Sequence, residues 1–294
     1  MNKTLVGILC GLGAASIWGG MYVISKVVLD IIPPFTLVSL RLLLGALTLA
    51  IVLAVRGFPK ITRKQFRQAV GVGFVGCGVS LSLQFLGTKL STAANGSLVT
   101  SATPAFVLIF AWILLKEKIT SLRLIALLLA TLGVVAVIDP RSAQLNPDLF
   151  AGNLLLLGAA LTWALYSVLV RKATQALDVL PFSLIAFLGG LPISIPAGAR
   201  ELETIGVGEI SLGVVGGVLF IGIISTALAM VLWNTAFAYL DASLASLTFF
   251  AQPVVGTLLG WLFLGEEITP LFLAGGMLIG VGLVISSRDP STNW

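Results

Sequence analysis

Ten apolar stretches alternate with short polar ones along the chain, at about 5–29, 35–55, 68–88, 93–115, 121–138, 150–171, 180–198, 212–238, 242–264 and 270–287. Each reaches ~18 residues or more, so each predicts a helix long enough to cross a bilayer. Two regions echo each other. Ala93–Ile119 reads AANGSLVTSATPAFVLIFAWILLKEKI, and Ala242–Ile268 reads ASLASLTFFAQPVVGTLLGWLFLGEEI. Each has a proline in mid-span, Pro104 and Pro253, and a tryptophan further on, Trp112 and Trp261. Each then ends in Glu-x-Ile-Thr, at Glu117 and Glu266. Aligned without gaps from Thr92 and from Asp241, roughly a third of the positions through Ile138 and Ser287 are identical. A second echo joins span one to span six: Gly13-Ala14-Ala15 before Trp18, and Gly158-Ala159-Ala160 before Trp163.

The repeat therefore covers five spans, 1–139 and 150–287. Five is odd, so the second copy must lie upside down in the membrane. The charges agree. The loop after span two is basic (Arg56, Lys60, Arg63, Lys64, Arg67), and its counterpart after span seven is acidic (Glu201, Glu203, Glu209). Lys116-Glu117-Lys118 after span four becomes Gly265-Glu266-Glu267 after span nine. Basic residues mark the cytoplasmic side, which places both termini there. The expected fold is an all-α integral membrane protein of ten transmembrane helices, built as two inverted five-helix repeats.

Composition fits this reading. Of 294 residues, 58% are hydrophobic and only 10% charged, with mean hydropathy +1.10. Such a chain cannot cover a water-facing surface, so lipid is its solvent. The net charge of +5 comes from the loops and implies no nucleic acid. Cys10 and Cys77 fall inside spans and predict no disulfide. The first apolar run lacks the pattern of a cleavable signal. Gly7 and Gly11, like Gly276 and Gly280, recur every four residues, a spacing that lets helices approach closely.

The acids lie in loops or at span ends, and there is no histidine. No metal cluster, acid–base pair or activated nucleophile presents itself, so the chain reads as no enzyme and predicts no cofactor. Lys26 and Arg41, near the outer ends of spans one and two, either snorkel to the interface or line an outer vestibule. Trp112, Trp261 and Tyr239 suit an interfacial belt. Trp18 and Trp163 do not, since they fall in mid-span, with Tyr22 and Tyr166 about one turn on. Either they pack locally or they wall a cavity between the repeats. Polar residues support a cavity: Ser80, Gln84 and Thr88 on span three, Asn95, Ser97, Thr100 and Ser101 on span four, Trp233 and Asn234 on span eight, and Thr248 and Gln252 on span nine. Trp18, Tyr22, Trp163, Tyr166 and Trp233 are the expected aromatic wall. Gln84, Asn95, Ser97, Ser101, Thr248 and Gln252 are expected to orient the polar end of a solute. Pro104 and Pro253 are expected to kink their helices.

The Gly-Ala-Ala-x-x-Trp openings, the Arg41-Leu-Leu-Leu-Gly-Ala-Leu run and the paired Pro…Trp…Glu-x-Ile-Thr endings resemble the drug/metabolite transporter superfamily in its EamA-type branch. Within it, the chain most resembles the YddG group of bacterial exporters. The resemblance implies a multi-pass protein of the bacterial cytoplasmic membrane that exports aromatic amino acids by alternating access. It equally allows organic cations such as methyl viologen, or another amino acid or metabolite. The expected partners are a small-molecule substrate and the lipid bilayer; oligomeric state is left open.

Overall fold

The structure is a computed structural model that describes residues 2–91, 96, 99–138, 149–264 and 270–289. The sequence places polar caps where helices begin. Asn2 accepts from the Thr4 amide at 2.9 Å and starts α1, Lys3–Leu29. Pro34 opens α2, Pro34–Arg56, where its missing N–H leaves no intrahelical bond unmade. Thr62 and Gln65 form a reciprocal capping box that starts α3, Arg63–Leu90. After α4 (Thr103–Leu115) and α5 (Ser121–Ile138) come α6 (Phe150–Ala173), α7 (Val179–Thr204) and α8 (Leu212–Tyr239). The consecutive segments Ala242–Leu247, Thr248–Phe250 and Ala251–Leu264 make up α9, and α10 is Pro270–Ser287. Among the described residues there is no strand. Six helices, α1–α3 and α6–α8, are long and apolar enough to cross a membrane. Leu9, Leu47, Val55, Leu128 and Met277 point outward from the bundle, as suits a protein dissolved in lipid.

The packing has an order of its own. Helix α1 packs on α8 and α9, and α6 packs on α3 and α4. Helix α2 lies along α7, and α5 lies along α10. Glycines allow these approaches. A Cβ on Gly73 of α3 would overlap the Ala186 carbonyl oxygen of α7. Gly7 and Gly11 of α1 face Leu240 and Thr248, as the spacing predicted. Gly276 and Gly280 do not serve this way, because a Cβ on either meets nothing within 4 Å. The α5–α10 contact instead uses Gly133 and Gly282, where an added Cβ would come within 2.6 Å of the Gly275 carbonyl oxygen and 2.8 Å of the Ala126 carbonyl oxygen.

Other details depart from the apolar pattern. Helix α7 runs on to Thr204, so Glu201 belongs to a helix rather than a loop. Its carboxylate accepts from the Thr36 amide at 2.8 Å and the Thr36 hydroxyl at 3.1 Å. A negative charge is thereby set at the N-terminal turn of α2. Helices α3 and α8 both widen into π-helical stretches, Phe74–Ser80 and Phe220–Leu228. Both stretches begin Phe-x-Gly. The irregular backbone near Pro104 and Pro253 lies just ahead of each proline. A turn at Ser101-Ala102 precedes Thr103, and a 3-10 turn at Thr248–Phe250 precedes Ala251, so each proline sits in the first turn of a restarted helix.

Candidate solute site

At the centre of the bundle, α1 and α6 bring Trp18 and Trp163 edge to face, with ring centroids 5.5 Å apart. Trp233 of α8 joins them, 5.4 Å from Trp18 and 6.4 Å from Trp163. Phe249, in the 3-10 turn of α9, completes the cluster at 5.6 Å from Trp233. The small Gly-Ala-Ala residues before each tryptophan let the helices close on this point. Ala14, Ala15, Ala159 and Ala160 are all buried.

A cavity of about 30 Å³ lies against this cluster. Trp18, Gln84, Trp163 and Gln252, all expected at the site, line it. So do Arg41, Ser80, Thr100, Thr103, Met21, Met230 and Phe249. Its volume is that of about one water, far below the roughly 300–1,000 Å³ of a small-molecule pocket. The cavity as it stands has no room for a solute of that size.

Tyr22, Tyr166 and Trp233 sit behind this wall. Tyr22 accepts from Gln84 Nε2 at 2.8 Å, and its hydroxyl meets Thr100 Oγ1 at 3.1 Å. Tyr166 stacks at 4.8 Å on Trp163 and donates to Asn234 Oδ1 at 2.9 Å. Trp233 donates to Ser167 Oγ at 3.0 Å. Thr248 donates to the Ala245 carbonyl at 2.6 Å and faces Gly11 instead of the cavity. Ser101 lies in the turn before α4 and does not line the cavity. Asn95 and Ser97 lie outside the described residues.

The two tryptophans at the centre are held differently. Trp18 Nε1 donates to the Ser225 carbonyl at 3.0 Å, within the π-helical stretch of α8. π turns free backbone groups and gather at functional sites. Trp163 Nε1 is buried with no hydrogen-bond partner, as are Thr103 Oγ1, Gln252 Oε1 and Ser225 Oγ. Buried polar atoms are ordinarily paired, so the gathering of Trp163, Thr103 and Gln252 along one cavity marks a place built to meet a polar group.

The two cations read as snorkelling or as lining an outer vestibule have different surroundings. Lys26 donates to the carbonyls of Thr88 at 3.2 Å and Ser91 at 2.9 Å, and so caps the end of α3. Arg41 is only 1% exposed and lines the central cavity. Nothing in the apolar pattern of α2 separated an inward arginine from a snorkelling one.

A second polar centre was not foreseen. At one end of the bundle the buried Arg123 of α5 lies 3.2 Å from Glu117, 2.9 Å from Asp241 and 3.6 Å from Asp289. Arg171 of α6 reaches Asp241 at 3.6 Å. Glu117 also accepts from the Ala242 amide at 2.8 Å and the Ser243 hydroxyl at 2.6 Å, capping α9. Burial pushes the Asp241 carboxyl above its ordinary range, and Glu117 pushes it the same way against the pull of Arg123 and Arg171. The cluster ties together α5, α6, the start of α9 and the end of the described chain. An open cleft of about 400 Å³ leads up to it.

Among known proteins, the family model for the EamA-like transporter family matches residues 5–138 and 150–288. The uncharacterized transporter YoaV of Bacillus subtilis is 24% identical over 98% of this chain and 97% of its own. An uncharacterized transporter of Archaeoglobus fulgidus is 28% identical over 92% of this chain and 95% of its own. One crystal structure matches with a TM-score of 0.78 at 20% identity, over 96% of each chain, a likeness of fold.

Proposed function

Because the chain belongs to the EamA-like transporter family, we propose that this membrane transporter carries a small amphipathic solute through the centre of a ten-span bundle, and that the solute is an aromatic amino acid. The observation that carries this reading is the meeting of Trp18, Trp163, Trp233 and Phe249 around unpartnered polar atoms. Ring faces and edges suit a planar side chain, and the amide and indole groups suit its polar end. Gln84, Trp18, Trp163 and Gln252 touch the solute in this reading, while Tyr22, Tyr166 and Trp233 hold the wall from behind. The specificity is the one the YddG-type resemblance implies, in a bacterial cytoplasmic membrane.

The helix pairing supports an inverted repeat of residues 1–139 and 150–287. Contacts of α1 with α8 and α9 are mirrored by those of α6 with α3 and α4. The glycine contacts are mirrored as well: Gly133 opposes Gly275 while Gly282 opposes Ala126, and the two pairs exchange under the sequence repeat. Two halves related in this way rock about their shared axis to open the central cavity to one side and then the other. The Arg123 cluster closes the end where α4, α6, α8 and α10 finish, which the basic loops assign to the cytoplasm.

Counterflow in proteoliposomes tests the reading. Vesicles loaded with unlabelled phenylalanine take up trace labelled phenylalanine without an ion gradient. Transient accumulation is expected, and Trp163→Ala abolishes it in protein that still folds. Absence of accumulation for phenylalanine, tyrosine and tryptophan alike rejects the aromatic assignment.

A further inference from the structure

We infer that Arg41 is the anion-binding group of the central cavity, that it takes the carboxylate of the transported solute, and that it turns away solutes carrying only positive charge. The inference rests on the reading of this cavity as the solute site.

Arg41 carries the one formal charge among the described residues lining the cavity. It stands at the seventh position after the proline of Pro34-Phe35-Thr36-Leu37. The matching run in the second half, Pro181-Phe182-Ser183-Leu184, leads at the same interval to Leu188. One half thus bears a cation that the repeat does not require for helix packing.

Its surroundings leave the charge unanswered. Nε donates to Thr226 Oγ1 at 2.8 Å, and the guanidinium lies 4.9 Å over the ring of Phe85. Thr226 donates in turn to the Ile221 carbonyl at 2.7 Å, five residues back in the wide turn of α8. That bond leaves the Thr226 oxygen facing Arg41 as an acceptor. Nη1 is buried without a partner. Among the described residues no carboxylate pairs with Arg41. A hydroxyl and a ring face orient a guanidinium but do not neutralise it. A buried cation in this state is stabilised by an incoming anion, and a carboxylate matches the donor geometry of a guanidinium. Across the same cavity, Gln252 Oε1 is buried and unpaired. This acceptor suits the ammonium of an α-amino acid. Cation–π attraction from the tryptophans works against Arg41 for a purely cationic solute, because the approach also brings two like charges together in a site of low dielectric.

The test uses the full chain in lipid nanodiscs, with quenching of intrinsic tryptophan fluorescence and thermal protection as readouts. The probes are phenylalanine, 3-phenylpropionate (carboxylate without amine) and phenethylamine (amine without carboxylate). Wild-type protein is expected to bind the first two and to bind phenethylamine at least about tenfold more weakly. Arg41→Gln weakens phenylalanine by about 10- to 100-fold and leaves phenethylamine unchanged or tighter. Arg41→Lys, which keeps the charge but not the fork, recovers part of the loss. The wild-type series keeps the test independent of whether a variant folds. Equal binding of phenethylamine and 3-phenylpropionate by wild type overturns the inference while leaving the aromatic reading intact. Leucine and acetate, run beside these probes, separate the two claims in the other direction. Protection by them that depends on Arg41, with none by the aromatic probes, rejects the aromatic reading and keeps Arg41. No carboxylate-dependent binding by any probe overturns the inference outright.

Discussion

Trp18 and Ser225 are joined by a single hydrogen bond, from the indole nitrogen to a backbone carbonyl 3.0 Å away. The two residues stand 207 positions apart in sequence, and the bond pins the middle of α1 to the wide stretch of α8. Trp163, its counterpart in the other repeat, touches the same aromatic cluster with its own indole N–H unpaired. The same substitution therefore separates the two. Trp18→Phe loses a buried bond, costing about 1 kcal/mol and lowering the melting temperature in detergent by several degrees. Trp163→Phe removes a donor that binds nothing in the protein, so the melting temperature moves little. Its effect falls on solute binding, read by counterflow.

Removal of Arg123 has a larger predicted cost than removal of any one of its partners. Its guanidinium stands among Glu117, Asp241 and Asp289, and Arg123→Gln leaves three carboxylates together at a buried helix junction. A loss of roughly 3–5 kcal/mol is expected. Glu117→Gln added to Arg123→Gln recovers part of it, which a double-substitution cycle of thermal melts measures. Equal and additive losses would mean that the charges do not act together.

The same cluster predicts a pH response. Asp241 holds its proton more tightly when buried in the cluster than when solvated, because burial and the nearby Glu117 raise its pKa from 3.8 more than Arg123 and Arg171 lower it. The folded form thus binds the proton that the unfolded form releases. This contribution is fully present below the ordinary carboxylate value and is lost as pH rises through the raised one. Melting temperatures of wild type compared with Asp241→Asn, from about pH 4 to about pH 8, are expected to diverge across that window, with the variant giving the flatter profile.

Two glycine-to-alanine substitutions should act in opposite directions. Gly73→Ala drives a methyl group into the Ala186 carbonyl oxygen, where only backbone can yield. It is expected to cost several kcal/mol (about the upper range for overpacking) and to impair assembly. Gly280→Ala meets open space and gains about 0.5–1 kcal/mol of helix stability. Expression level and melting temperature in detergent distinguish the pair.

Apolar length predicted the six long helices α1–α3 and α6–α8, because spans of this kind are written in composition. The central tryptophans were legible because they repeat and sit where an interfacial belt has no use for them. Gln84 and Gln252 were legible because amides are costly in lipid. Arg41 and Phe249 were harder to read. An arginine one or two turns from a helix end has the same local sequence whether it snorkels or turns inward, and only the neighbouring Thr226 and Phe85 decide. The Arg123 cluster gathers residues from separate loops, each ordinary alone, so no local pattern announces it. Pro104 and Pro253 announce irregular backbone without saying whether the helix bends or begins anew.

The wide stretches of α3 and α8 set the phase of the helical turns downstream of them. Each residue of an α-helix advances the side-chain direction by about 100°, so an extra residue held in a wide turn rotates everything downstream by that step. Beyond Phe220–Leu228, this offset helps to turn Trp233 and Asn234 into the bundle, where both are fully buried. Deleting one residue there, such as the half-exposed Ile223, would not simply tighten the helix. It would swing the downstream face toward the acyl chains while leaving composition and hydropathy almost unchanged. The chain thus carries positional information in its count of residues as well as in their kinds, and a length change of one is a larger perturbation here than most changes of side chain.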